Sequence, residues 1–347
     1  MNRPTATVVI TGSGTVTCQS VIKALRTQND VRVKIVTVDA SDQVAGRYFS
    51  DDFHRIPQAN HPDFTDALFE VCARHRADLL VPIVDYEFGP VSAAANRFKA
   101  AGCAVAISPP DVIRRVNDKL ETYRFFMENG FGTAVTWDAD AARSNLHSLP
   151  YPVFLKPAVD GRSSIDCYEV ACAADLKAYL DRIPGAMVQE LVVAPEFTAD
   201  LVADWESRVV GVVVRQRIET KGGVSYKGIT VSDPDLVEQV TRMARLLGIR
   251  GPANIQVFRR GPEILFNEIN PRFSGALALS LAAGLNSPLV MVKLALGLPV
   301  TDLMRKTRVG LTMLRYWDEV FVGPDGQPEY PDYHLEPAHA MESLRAV

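Results

Sequence analysis

A parallel α/β layer followed by a mixed α+β region is the fold class that this chain predicts, on three observations. The first hundred or so residues alternate buried-strand and helical patterns, beginning with "ATVVITGSGTVTCQSVIKALRTQ". That alternation stops after "SPPDVIRRVNDK". From Met187 to Gln216 the sequence carries strand patterns of the kind that pair in antiparallel sheets.

In order, "ATVVI" reads as a strand, the glycines of "TGSG" as a turn, and the following segment as a helix with Val16, Ser20, Ile22 and Leu25 near one another in period. "VRVKIVTVDA", "DLLVPIV" and "CAVAIS" are further strands, separated by helical stretches such as "DFTDALFEVCARH". Proline-capped helices end near Gly130, and the mixed region opens with "YPVFLKPAVDGRSS". "MVQELVV", "EFTADLVAD" and "RVVGVVVRQR" predict antiparallel strands turning at "DWESR". "DPDLVEQVTRMARLLGI" is an amphipathic helix capped by Asp233, and "NIQVFRRGPEILFNEIN" a hairpin turning at Arg260, Gly261 and Pro262. The proline-rich end, "PDGQPEYPDYHLEPAHAMESLRAV", predicts an extended tail.

With 347 residues the chain exceeds what one core usually supports, so two or three packed units are expected. Hydrophobic residues make up 47% and the net charge is only −4, which argues against a general attraction to nucleic acid. Cys18, Cys72, Cys103, Cys167 and Cys172 are odd in number and scattered, which favours buried reduced thiols in a cytoplasmic protein. No apolar run reaches the roughly 18–20 residues of a membrane span, so neither secretion nor membrane insertion is expected.

Two constellations carry chemistry. "GSGTVT" after the first strand, with Asp39 ending the second, approaches a dinucleotide fingerprint. Thr17 replaces its third glycine, and a lone G-x-G also serves as a tight turn. The second is split over "NDK", "FLKP", "QELVVAPEF" and "NIQ…FNEINPR". Lys156 emerges from the apolar "PVFL" into a loop of small and hydroxyl residues, a setting that suits a cation held against phosphate. In "FNEINPR", Glu268, Asn270 and Arg272 are two residues apart, so an extended backbone aims Glu268 and Asn270 to one side.

In these four pieces the chain resembles the ATP-grasp superfamily, closest to its carbamoyl-phosphate-synthase-like and pyrrolysine-type ligase branch. The likeness covers roughly residues 5 to 320, and "NIQ…NEINPRFSG" is its most specific element. It implies a Rossmann-like pre-ATP-grasp domain at 1–112, an ATP-grasp fold of two subdomains at 113–186 and 187–320, and a tail at 321–347. By the resemblance, Lys119 and Lys156 contact nucleotide phosphates, Glu190, Leu191 and Val192 form the adenine hinge, and Glu196 takes the ribose. Gln256, Glu268 and Asn270 hold two magnesium or manganese ions, and Arg272 faces the transferred phosphoryl group. "RQR" and "SYKG" make Arg215 and Lys227 further phosphate or substrate contacts.

Where relatives carry a glycine-rich loop of the type G-S-G-S-x-G, this chain reads "GRSSID", with Ser163 and Asp166 at two glycine positions. Arg162 offers a compensating phosphate contact, beside Ser163 and Ser164. The implied activity is a ligase that activates a small-molecule carboxylate with ATP and passes the acyl phosphate to an amine. Neither nucleic acid nor membrane is an expected partner, and a homodimer is compatible with the resemblance. The alternatives are an ATP-binding or sensing protein without turnover and a nicotinamide-dependent oxidoreductase. Asp85, Tyr86 and Glu87 follow a strand of the first domain, either meeting the nucleotide cleft or opening a helix, where acids suit the dipole.

Overall fold

The computed structural model describes residues 3–159, 165–183, 185–300, 307–316 and 318–329. Internal packing divides the chain into two units, Met1–Arg315 and Tyr316–Val347. The first unit opens with β1 (Thr5–Ile10), α1 (Val16–Arg26), β2 (Arg32–Asp39), β3 (Asp52–Arg55), α2 (Phe64–His75), β4 (Leu79–Val81), α3 (Phe88–Ala93), α4 (Ala95–Ala100) and β5 (Ala104–Val105). Its strands form a parallel sheet in the order β3-β2-β1-β4-β5, buried because helices cover it. Val8, Ile10 and Ile35 are fully buried, as continuous apolar strands predict.

Two helices, α5 (Pro110–Asn117) and α6 (Lys119–Glu128), lead into a four-stranded sheet. It contains β6 (Thr136–Asp138), β7 (Val153–Pro157), β8 (Tyr168–Val170) and β9 (Ala186–Glu190), with α7 (Ala139–Ser144) and α8 (Ala173–Arg182) between strands. The order is β6-β9-β7-β8, so "MVQE" pairs with β6 and β7 rather than with the strands that follow it in sequence.

The larger antiparallel sheet is built from β10 (Glu196–Ala203), β11 (Val209–Lys221), β12 (Val224–Thr230), β13 (Gly251–Arg260), β14 (Glu263–Asn270) and β15 (Thr312–Leu314). Its order is β14-β13-β10-β11-β12-β15. Helix α9 (Pro234–Leu247) covers one face with Leu236, Val240, Met243, Ala244 and Leu247, all buried at helical spacing. Asp233 caps it by accepting the Leu236 N–H at 3.0 Å. Phe126 on α6 meets Phe131 and Phe266, with centroids 5.5 to 6.5 Å apart, which ties α6 to β14. Helices α10 (Leu277–Ala282) and α11 (Ser287–Ala295) pack against α1. The second unit shows β16 (Phe321–Val322) paired antiparallel with β17 (Pro328–Glu329), so the tail expected over 321–347 begins as a short hairpin; its residues 330–347 lie outside the described residues.

The glycine turn after β1 does not form an anion cradle. Ser13 N–H donates to Val38 O at 3.3 Å, Gly14 N–H to Asp39 Oδ2 at 2.9 Å and Thr15 N–H to Gly12 O at 2.9 Å. The segment at 45–49 packs over the turn so tightly that a Cβ on Gly46 would lie 2.1 Å from the Ser13 carbonyl oxygen. Gly14 N–H is thus engaged with Asp39, and the Ser13 and Thr15 amides with backbone carbonyls, so the turn is closed by its own hydrogen bonds.

Candidate functional site

A cleft of about 660 Å³ opens in the first unit, lined by both antiparallel sheets, the start of α6 and the turn at 85–89. Its floor is one face of the larger sheet. Thr198 on β10 registers with Gln256 on β13, which registers with Glu268 on β14, and Asn254 registers with Asn270. Paired residues share a face, so Glu268, Gln256 and Asn270 point the same way. Strand β14 carries one extra residue, Asn267, where Gln256 faces Glu268 but Val257 faces Phe266. This bulge lets Asn267 line the cleft beside Glu268.

The smaller sheet supplies Lys156 from β7. Its side chain is buried, donating from Nζ to Asn267 Oδ1 at 2.9 Å and to Gln189 Oε1 at 3.2 Å. Burial pushes the ammonium down to about 8; Glu268 opposes that shift and Lys119 adds to it. Lys119 lines the cleft at the first position of α6, where Asp118 caps the helix. Glu190, Leu191 and Val192 also line the cleft, as the chain leaves β9. The Glu190 carboxylate turns to Arg260, accepting from Nη1 at 2.6 Å.

Glu196 accepts from Arg217 Nη1 at 2.7 Å, and Arg217 Nη2 donates to Gly223 O at 2.8 Å in the β11–β12 turn. Burial raises the Glu196 carboxyl and lowers the Arg217 guanidinium, so desolvation outweighs their mutual attraction for both. Among the described residues, Arg217 Nε and Thr198 Oγ1 are buried without a hydrogen-bond partner, two polar atoms beside the cleft floor. Arg272 donates from Nε to Asp85 Oδ1 at 2.8 Å and so links the end of β14 to the first domain. Asp85 and Tyr86 line the cleft, whereas Glu87 closes the turn behind them, accepting the Val84 N–H at 3.2 Å and the Thr11 hydroxyl. Both sequence readings of this trio hold, for different residues.

Ten of the expected residues thus border one cleft: Lys119, Lys156, Glu190, Leu191, Val192, Glu196, Gln256, Glu268, Asn270 and Arg272. Two do not. Arg215 is buried beneath it, donating from Nε to Asp200 Oδ2 at 3.0 Å, from Nη1 to Ser225 Oγ at 2.9 Å and from Nη2 to Ser274 Oγ at 2.8 Å. Ser280 completes that network by donating to Asp200 Oδ2 at 2.6 Å, so Arg215 joins the sheet to the 274–280 segment. Lys227 pairs with Glu219 across the β11–β12 hairpin at 2.6 Å, away from the cleft lining. Arg162, Ser163 and Ser164 lie outside the described residues. Asp166 beyond them has φ 55°, a left-handed conformation that suits the glycine it replaces and that Asp tolerates. Sequence reasoning missed Arg217 and Asn267. The first was visible as the second arginine of "RQR", two residues from Arg215 on the same strand face; the second depends on a bulge that leaves no local signature.

The site is thus a polar cleft between two antiparallel sheets, behind a parallel α/β domain. Residues 182–316 match the family described as "ATP-grasp in the biosynthetic pathway with Ter operon", and residues 8–106 match the PylC-like N-terminal domain. The chain therefore carries an ATP-grasp domain behind a PylC-like N-terminal domain. It is 28% identical over 268 residues to the carbamoyl phosphate synthase large chain of Rubrobacter xylanophilus, covering 70% of this chain and 24% of that relative. It spans only about a quarter of the length of such relatives. Among solved structures it resembles the biotin carboxylase domain dimer of Hydrogenobacter thermophilus 2-oxoglutarate carboxylase, solved with MgADP, ADP and bicarbonate. That likeness has TM-score 0.68 and 14% identity, covering 88% of this chain and 71% of the other. It also resembles the L-amino acid ligase of Bacillus licheniformis, with TM-score 0.61 and 14% identity, covering 85% and 75%.

Gln256, Glu268 and Asn270 offer only oxygen donors on adjacent paired strands, a set that fits a hard divalent cation.

Proposed function

We propose that this chain is an ATP-dependent carboxylate–amine ligase that works through an acyl phosphate and releases ADP and phosphate. The observation that carries the reading is the facing of a buried lysine, Lys156, and an all-oxygen donor set, Gln256, Glu268 and Asn270, in one cleft. Lys156 and Lys119 hold the nucleotide phosphates, the hinge at Leu191 and Val192 packs the base, and Glu196 takes the ribose hydroxyls. Arg217, already on Glu196, fixes that carboxylate as a hydrogen-bond acceptor. Two magnesium or manganese ions held by Glu268, Gln256 and Asn270 would supply charge neutralisation on the β- and γ-phosphates.

The reaction needs positioning and charge compensation more than covalent help. A carboxylate oxygen attacks the γ-phosphorus as the bond to the β-phosphate oxygen breaks and ADP leaves. Arg272 stabilises charge on the acyl and phosphoryl oxygens. The amine then attacks the acyl carbon, phosphate departs, and the nitrogen releases its proton. Asp85 holds the Arg272 guanidinium from the first domain, so the substrate end of the cleft is set by both domains.

A non-catalytic ATP-binding protein is the competing reading, favoured by Asp166, a carboxylate in the loop that follows Lys156. A screen for ADP release over pooled carboxylic acids and amines, run beside Glu268→Ala, separates the two. Release that requires both substrates and vanishes in the variant supports the ligase; tight Mg-ATP binding with no release from any pool supports the competitor.

A further inference from the structure

A second cluster of donor atoms lies in the first domain and takes no part in the cleft. Asp52 and His54 are two residues apart on β3, the edge strand of the parallel sheet, so their side chains leave the same face. His75, in the last turn of α2, meets them there. The two imidazoles are 2.7 Å apart between Nε2 atoms, and Asp52 Oδ2 lies 3.5 Å from His75 Nε2 and 3.8 Å from His54 Nε2. One ligand atom from each residue falls within 4.8 Å of the others. Among the described residues this is the one such group of three His, Cys, Asp or Glu side chains. His75 is largely buried, at 9% side-chain exposure, and Asp52 faces solvent at 42%, which leaves an entry side.

We propose that Asp52, His54 and His75 form a binding site for a divalent transition-metal ion of the zinc class, which clamps the edge strand β3 to the end of α2. Two imidazoles and one carboxylate select borderline ions over magnesium, in contrast to the all-oxygen set of the cleft. Around a tetrahedral ion with bonds of about 2.0–2.2 Å, neighbouring donor atoms sit roughly 3.3–3.5 Å apart. The Asp52–His75 spacing of 3.5 Å already matches, and the Asp52–His54 spacing of 3.8 Å is close. The imidazole pair must open from 2.7 Å, exchanging its hydrogen bond for two metal bonds. With three protein donors, the fourth position is left to solvent.

Lys34 on β2 opposes the ion. Its Nζ lies 3.3 Å from His75 Nδ1, and an ammonium can only donate. Nδ1 is then the acceptor, the ring proton sits on Nε2, and His75 donates that proton to His54 Nε2. For His75 Nε2 to ligate a metal, the ring proton must move to Nδ1 and Lys34 must swing away. Lys34 is exposed, so solvent can receive it. The lysine therefore acts as a counterweight that lowers affinity for the ion.

The test titrates the full chain with Co²⁺ in excess magnesium, which keeps the cleft's oxygen ligands occupied, and follows visible absorption and calorimetry. One Co²⁺ per chain with an intense tetrahedral band is expected. His54→Gln and His75→Gln should each weaken binding by at least about tenfold while circular dichroism stays native. Lys34→Gln should tighten it several-fold, a gain that nonspecific surface binding would not show. Zinc should raise the melting temperature of the native chain and leave that of His75→Gln unmoved. Wild-type affinity in His75→Gln, weaker binding in Lys34→Gln, or no Co²⁺ uptake by the native chain would each overturn the site.

Discussion

Nucleotide binding should draw in a proton, and Lys156 sets how much. The lysine is buried with two neutral oxygen partners among the described residues, and its ammonium is pushed from the ordinary 10.5 to about 8. That depression corresponds to about 3 kcal/mol against the charged form. Because the folded protein binds fewer protons than the unfolded chain between pH 8 and 10.5, this cost applies fully below pH 8 and disappears as pH rises through that window. A triphosphate beside Nζ returns the group to its ordinary range. Mg-ATP binding should then take up about 0.1 proton at pH 7, about 0.5 at pH 8 and about 0.9 at pH 9. Affinity should fall about tenfold by pH 9 for the same reason. Calorimetry in two buffers of different ionisation enthalpy measures the uptake directly, and Lys156→Met should abolish it while weakening binding. Tight binding with identical heats in both buffers at pH 8.5 would refute the argument.

Other expectations concern the frame around the cleft. Asp200→Ala strands the buried Arg215 and should cost about 3–5 kcal/mol in urea unfolding. Gly46→Ala should lower stability by about 1–3 kcal/mol, since its Cβ would meet the Ser13 carbonyl at 2.1 Å; an unchanged urea midpoint would contradict the packing. Burial raises the Glu87 carboxyl to about 7 despite its Thr11 and backbone donors, so stability should decline as pH rises from 4.5 to 7 and level off above. Glu87→Gln should flatten that slope, which amounts to roughly 3 kcal/mol at most.

The parallel domain was legible because buried strands and amphipathic helices announce themselves by local period, as Val8, Ile10 and Ile35 illustrate. So was the floor of the cleft: the two-residue step from Glu268 to Asn270 places both on one face. Features that depend on distant segments stayed hidden. Nothing local says that "MVQE" pairs with β6 and β7 instead of β10, or that residues 45–49 seal the glycine turn. The arginines of "RQR" share a strand face, and only the depth of Asp200 and Ser274 decides that Arg215 is structural while Arg217 reaches the cleft. Asn267 reaches Lys156 through a bulge, which a strict alternation would miss. The pairing of Arg272 with Asp85 joins positions 187 residues apart in the chain.

Acyl-phosphate ligation is tested most directly by isotope transfer. A carboxylate found by the ADP-release screen is labelled with oxygen-18 and turned over with Mg-ATP and its amine partner, and the inorganic phosphate is analysed by mass. One labelled oxygen per phosphate released is expected, with the transfer suppressed in Arg272→Ala more than ATP binding is weakened. Label retained wholly in the organic product, or release of AMP and pyrophosphate, would contradict it.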